Sequence, residues 1–332
     1  MSAKVTIIVP VYNTADYLQN CIDSIKNINF NSYQVIFIDN HSKDGSYEIL
    51  KKNRNKKFRI IRNKKNYGQS YSLNKAIGLA KSPYIAIMDS DDICLKDRII
   101  QSYKFLKNNK EYALVAGRSN TINEQGKLIS VRRFTLNPDL ISCRIFIDNP
   151  ISHTTIMFKK KIIEKLGRYS QNLKFAQDFD LVSKVLLNKH KIKILNKEFT
   201  LVRKHKNQQS FKNTKKQDFE RHKIILKNIG KKIKLNSYSK SLIRFIVFKK
   251  DKKFENLSLQ SQTNIFHKLL NKLFKNDIQK LYYSSLIFSQ KNNFKKKIII
   301  LVLIKYLILN KFFIRDKETL LRLCKSFLNI IF

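Results

Sequence analysis

The sequence predicts an α/β fold: a mostly parallel sheet over residues 1–210, followed by a basic helical region over 211–332. Three observations predict it. Apolar, β-branched runs alternate with amphipathic helical stretches between residues 4 and 89. Short segments rich in Asp, Asn and Ser follow the strands directly. From residue 211 the pattern turns purely helical and the charge density rises. Residues 211–332 carry a net +22, matching the +21 of the much longer 1–210, in a chain of net charge +43.

Each element follows from its pattern. "KVTIIVPVYN" (4–13) is apolar on both faces, as a buried parallel strand requires. A helix from about Thr14 places Leu18, Cys21, Ile22 and Ile25 at i, i+3, i+4 and i+7. "YQVIFID" (33–39) is a second strand and 45–52 a second helix. "FRIIR" (58–62) is a third strand, 72–80 a third helix, and "PYIAIMD" (83–89) a fourth strand. Beyond residue 110 the alternation loosens. Residues 112–117 and 154–158 read as strands, 159–167 as a helix ended by Gly167, and 178–190 as another helix. In parallel sheets ligands sit beyond the carboxyl ends of the strands. That rule gathers "YNTADY", "DNHSKDGS" and "DSDD" along one edge.

Composition narrows the function classes. The four cysteines form no CxxC pair, which points to reduced thiols and not to a disulfide or zinc framework. The N-terminus lacks the pattern of a secretory signal, so a cytoplasmic location is expected. So basic a chain favours polyanionic partners: nucleic acid, an anionic membrane face or a phosphorylated substrate. With 14 Tyr and 23 Phe it has the aromatics to stack on single strands. Charge alone explains none of the acidic clusters, however, and there is no RNA-binding signature, so no nucleic-acid partner is expected.

Those clusters carry the chemistry: Asp39 with Asp44; Asp89, Asp91 and Asp92; Asp178 with Asp180. Crowded carboxylates need a counter-cation to stay ionised together. A divalent ion of the Mg²⁺ or Mn²⁺ kind, held by one or two carboxylates and substrate phosphates, is one solution. Surrounding Lys and Arg are another. Asp-x-Asp after a strand is thus either a metal–diphosphate site or a turn with capping aspartates, Asp92 capping a helix that begins near Leu95. Asp178 and Asp180 sit in the first turn of a helix, where the dipole favours negative charge.

Taken together these stretches resemble family 2 glycosyltransferases of the GT-A fold. The resemblance covers residues 4–210 and runs in the family's order: "TIIVPVYN", "VIFIDNHSKDGS", "NYGQSYSLNKAIGLAKSPYIAIMDSDD", "PISHTTIMFKKKIIEKLGRYSQNLKFAQDFDL" and "RKHKNQQS". It implies a metal-dependent, inverting transfer of a sugar from a nucleotide-diphosphate donor to a hydroxyl of a glycan or lipid-linked glycan, as in capsule, O-antigen or lipooligosaccharide assembly. Pro10, Tyr12, Asn13, Asp39, Asn40, Asn74, Asp89 and Arg203 would contact the nucleotide-sugar. Asp91, Asp89 and His205 would hold Mn²⁺ or Mg²⁺, with His205 and Arg203 near the diphosphate. His153 and Gln177 would line the acceptor side, His153 serving there or in a structural hydrogen bond. Asp178 would be the general base. Two positions depart from the family's usual pattern: Asn40 where an acid is common, and Gln177 where Glu is common.

The chain has no Trp, which removes the Gln-x-x-Arg-Trp signature of processive synthases and favours a single addition. In the basic region, "KKKIIILVLIKYLILNKFF" (295–313) is too short and too charged to span a bilayer. It reads as a buried bundle helix, as an interfacial helix on an anionic membrane, or as a partner helix. The interfacial reading would place the protein peripherally on the inner face of the plasma membrane. An inactive transferase-like scaffold at the membrane is the remaining alternative, against which Asp89, Asp91 and Asp178 speak.

Overall fold

The computed structural model describes residues 3–131, 141–142, 144–146, 148–248 and 252–273. The apolar run 295–313, Cys143 and Cys324 lie outside them. The chain divides into two compact units, 1–221 and 222–332.

The first unit begins with β1 (Val5–Val11), α1 (Ala15–Lys26), β2 (Tyr33–Asp39), α2 (Ser46–Lys52), β3 (Phe58–Arg62), α3 (Gln69–Leu79) and β4 (Tyr84–Ile87). β1 pairs in parallel with β2 and β4, and β2 with β3. All seven β1 residues are buried, because helices cover both faces of a parallel sheet. Helix α1 turns Leu18, Cys21, Ile22 and Ile25 inward. Each such apolar side chain contributes roughly 1.5–3 kcal/mol when fully buried.

The chain continues through β5 (Ile93–Cys94), α4 (Arg98–Asn108), β6 (Tyr112–Ile122), β7 (Leu128–Val131), a 3₁₀ turn (His153–Thr155), β8 (Met157–Lys159), α5 (Lys160–Lys165), α6 (Gln177–Leu187) and β9 (Lys191–Arg203). Among the described residues nine strands form one sheet, ordered β3-β2-β1-β4-β8-β6-β9-β5, with β7 paired to β6. Strand β8 joins β4 and β6 antiparallel, while β6 and β9 run parallel. The two-residue β5 pairs with β9, Ile93 opposite Leu201. Helix α4 therefore starts at Arg98 and not near Leu95, since residues 93–94 are spent on the sheet.

Helices α7 (Gln209–Lys212) and α8 (Thr214–Gly230) follow, and the boundary between the units falls inside α8. The second unit holds the rest of α8, α9 (Ser237–Phe248), α10 (Lys252–Glu255) and α11 (Leu259–Leu273). In α11 the buried residues are Phe266, Leu269, Leu270 and Leu273, an i, i+3, i+4, i+7 stripe. No helix among the described residues is long and apolar enough to cross a membrane.

Candidate active site

The carboxyl ends of β1, β2 and β4 open on a cavity of about 760 Å³, all of it within the first unit. Two residues at this edge sit in the left-handed region, Asn13 at φ 51° and His41 at φ 68°, a conformation that Asn, Asp and His tolerate best. Asn13 uses it to accept from Lys43 N at 3.0 Å while its own N–H donates to Ser42 Oγ at 3.0 Å. Asp44 accepts from Ala15 N at 2.8 Å and from the Ser46 hydroxyl at 2.6 Å. Burial works against the Asp44 charge, but these bonds outweigh it and lower its pKa.

The acidic turn follows β4. Asp89 faces the cavity, with Oδ1 3.7 Å from His153 Nδ1 and 3.5 Å from Gln69 Nε2. Asp91 faces it too, with Oδ2 2.9 Å from His205 Nε2. Asp92 points the other way. It is 2% exposed and accepts from Arg203 N at 2.9 Å. Burial, and then the charges of Asp91 and Asp89, push its pKa well up. The capping role for Asp92 is thus corrected: the β5 pairing takes the backbone away from a helix start, and the carboxyl anchors β9 instead. Two buried guanidinium groups supply positive charge beneath the turn. Arg98 donates to the carbonyls of Ile87 and Ile156. Arg203 donates to those of Asp91 (3.1 Å), Asn123 (3.1 Å) and Glu124 (2.7 Å).

Helix α6 supplies the next wall. Asp178 lies in its first turn and lines the cavity, and Asn149 Nδ2 donates to Asp178 Oδ2 at 2.7 Å. Burial raises the Asp178 pKa, against the opposing pull of His153, the Phe179 N–H and Asn149. His153 Nε2 bonds the Tyr169 hydroxyl at 2.9 Å. Burial works against protonation of His153, but the Asp89 and Asp178 carboxylates outweigh it and raise its pKa. Burial, with the same two carboxylates, raises Tyr169 well above the usual phenol range.

Of the residues singled out in the sequence, the cavity gathers Pro10, Tyr12, Asn13, Asn40, Asp89, Asp91, His153, Gln177, Asp178 and His205. Asp39, Asn74 and Arg203 do not line it. Asp39 is fully buried, paired with Arg62 at 3.2 Å and capping Ser42 N at 3.1 Å. Asn74 holds the Tyr169 backbone through both its amide atoms, at 2.8 and 3.0 Å. Arg203 spends its side chain on the three carbonyls above and on the ring of Tyr17, 4.9 Å away. Asn40 reaches the cavity, yet its carbonyl oxygen already accepts from Asn63 Nδ2 and Tyr67 N, both at 3.1 Å. Both lone pairs are then used, so Asn40 organises the loop before α3. Gln177 Nε2 donates to Gln69 Oε1 at 2.7 Å. Asn149, Gln69, Tyr169 and the buried Arg98 escaped sequence reading. None belongs to an acidic cluster, and only spatial neighbourhood marks them.

Asp91 and His205 fit a divalent cation. A carboxylate oxygen suits Mn²⁺ or Mg²⁺, and an imidazole nitrogen beside it favours the transition metal, Mn²⁺, of the two. Among the described residues the buried His205 Nδ1 has no hydrogen-bond partner, which leaves Nε2, aimed at Asp91, as the usable ring nitrogen. Among the described residues no three His, Cys, Asp or Glu side chains converge on one point. The protein thus offers an incomplete shell, as is usual where substrate phosphates and water complete the coordination.

A family model for glycosyl transferase family 2 matches residues 6–167. An uncharacterized glycosyltransferase of Methanocaldococcus jannaschii is 31% identical over 206 residues, 59% of this chain and 69% of that one. The O-antigen biosynthesis glycosyltransferase WbnJ of Escherichia coli is 30% identical over 191 residues, 55% of this chain and 71% of that one. Of several longer curated relatives the chain spans only 20% to 31%. Among solved structures, S. aureus TarS 1–349 in complex with UDP-GlcNAc superposes with a TM-score of 0.59 at 19% identity, covering 86% of this chain and 84% of that one. At that identity the likeness speaks for the fold.

Proposed function

The chain belongs to glycosyl transferase family 2, and from that premise we propose that it is a metal-dependent, inverting enzyme that adds a single sugar to a glycan or lipid-linked glycan. One observation carries the reading. A single cavity at the carboxyl edge of the sheet is lined by Asp89, Asp91, His205 and Asp178. Asp91 and His205 would hold Mn²⁺ or Mg²⁺, and Asp89 faces the donor sugar. Pro10, Tyr12 and Asn13 shape the nucleotide side, with Asp39, Asn40 and Asn74 fixing the loops behind it. Asp178 takes the proton from the acceptor hydroxyl through its Oδ1, since Asn149 holds Oδ2. The acceptor oxygen bonds to the anomeric carbon as the bond from that carbon to the diphosphate oxygen breaks. Attack from the face opposite the leaving group inverts the anomeric centre. A bound divalent ion supplies Lewis-acid neutralisation of the departing nucleoside diphosphate. The raised Asp178 pKa suits a general base. His153 and Gln177 line the acceptor side.

The donor is a nucleotide-sugar. UDP, GDP or dTDP with Mn²⁺ is expected to raise the melting temperature of the wild type, and Asp91→Asn to abolish the rise. If none of the three stabilises the wild type, the reading fails. The net +22 of residues 211–332 supports a peripheral place on the inner face of the plasma membrane. Retention on anionic over neutral vesicles tests that part, and equal retention contradicts it.

A further inference from the structure

We propose that Glu220 is a positioning residue for Asp178, acting through the backbone of residues 174–176; the proposal rests on the reading of Asp178 as the base. The N–H groups of three consecutive residues converge on the Glu220 carboxylate. Lys174 N lies 2.9 and 3.1 Å from its two oxygens, Phe175 N 2.8 Å and Ala176 N 3.0 Å from Oε2. One turn earlier on α8, Gln217 Nε2 donates to the Phe175 carbonyl at 3.1 Å. Gln217 and Glu220 are i and i+3 on one helix face. That face therefore grips all three N–H donors and one carbonyl acceptor of a single tripeptide.

The gripped tripeptide leads directly into α6. Ala176 is the residue before the helix and has no side-chain cap of its own. Glu220, from a distant part of the sequence, accepts from the three N–H groups that lead into the helix and places negative charge near the positive end of the helix dipole. Hydrogen bonds to an ionised carboxylate are roughly twice as strong as neutral ones. Phe175, Gln177 and Asp178 all line the cavity, so the grip ends two residues from the proposed base and includes part of its wall. Apart from this clamp, Asp178 is oriented by Asn149 alone among side chains that hydrogen-bond its carboxylate in the described residues. Loss of the clamp frees the start of α6 to shift, and a shift of about 1 Å at a reacting group costs on the order of 100-fold in rate.

The test uses the full-length protein and two readouts. Hydrogen–deuterium exchange is expected to show faster exchange at the 174–176 amides in Glu220→Gln, with the β1–β4 amides unchanged. Turnover is measured with whichever of a panel of UDP-, GDP- and dTDP-sugars the wild type hydrolyses or transfers in Mn²⁺. Glu220→Gln is expected to lower kcat about tenfold or more at unchanged donor KM, and Gln217→Ala to do the same to a smaller degree. In an Asp178→Asn background Glu220→Gln is expected to cause no further loss, because a residue that acts through Asp178 has nothing left to position. Unchanged exchange at 174–176 overturns the clamp. An equal fractional loss in both backgrounds overturns its link to Asp178. A wild type that turns over no donor defeats the reading of the reaction instead, and the exchange result then decides the clamp by itself.

Discussion

Two Asp-x-Asp sequences serve the same cavity, Asp89-Ser90-Asp91 after β4 and Asp178-Phe179-Asp180 at the start of α6, and their backbones make them chemically different. On the turn, both aspartates reach the cavity, each with a histidine partner: His153 for Asp89 at 3.7 Å and His205 for Asp91 at 2.9 Å. On the helix, residues i and i+2 point roughly 200° apart. Asp178 faces the cavity, whereas Asp180 turns into the protein, paired with Lys184 at 2.9 Å and accepting from Ser170 Oγ at 2.6 Å. The turn presents two carboxylates to the cavity, and the helix presents one. Carboxylate spacing in sequence therefore says little until the local backbone is known.

That contrast can be broken on the helix first. Asp178→Asn is expected to lower turnover about 100- to 10,000-fold, the usual worth of a positioned general base, with little change in melting temperature. Asp180→Asn is expected to do the reverse. It removes the charge opposite Lys184 and leaves that ammonium on the neutral Arg168 carbonyl and Ser170 hydroxyl, which costs about 3 kcal/mol of stability for a buried pair, while turnover per folded molecule holds. Kinetics and thermal melts on the two variants check this, and similar losses of turnover in both would erase the distinction.

A smaller effect sharpens the role of Asp178. A base works ionised, so its raised pKa places the acidic fall of kcat/KM above the ordinary carboxylate range. Asn149 donates to the charged form and so holds that pKa down. Asn149→Ala is expected to move the acidic limb to higher pH. A pH–rate profile reads the shift, and movement to lower pH would contradict the assignment.

Legibility in the sequence followed the same divide. Strands β2, β1 and β4 were readable because parallel strands covered on both faces are largely apolar runs, and the half-exposed edge strand β3 was readable as a short β-branched run between arginines. Strand β9 was not, because its middle is exposed and carries Asn196, Lys197 and Glu198 among apolar residues, which blurs any period of two. The acidic residues of the site were readable as clusters. Their orientation was not: Asp92 and Asp180 look like equals of Asp91 and Asp178 in sequence, and burial alone separates them. Arg203 and Asn74 carry polar groups that suit a ligand, yet the backbone uses them up. Glu220 was hidden for a further reason. Its partners are N–H groups, which every residue but proline possesses, so no side-chain pattern near residue 175 announces them.

The most direct test of the division of labour is calorimetric titration of UDP, GDP and dTDP with Mn²⁺ into Asp91→Asn and Asp178→Asn side by side. The nucleotide that binds the wild type should bind Asp178→Asn with similar affinity and Asp91→Asn weakly or not at all. Equal affinity for the two variants would contradict the assignment of the turn to the donor and the helix to the acceptor.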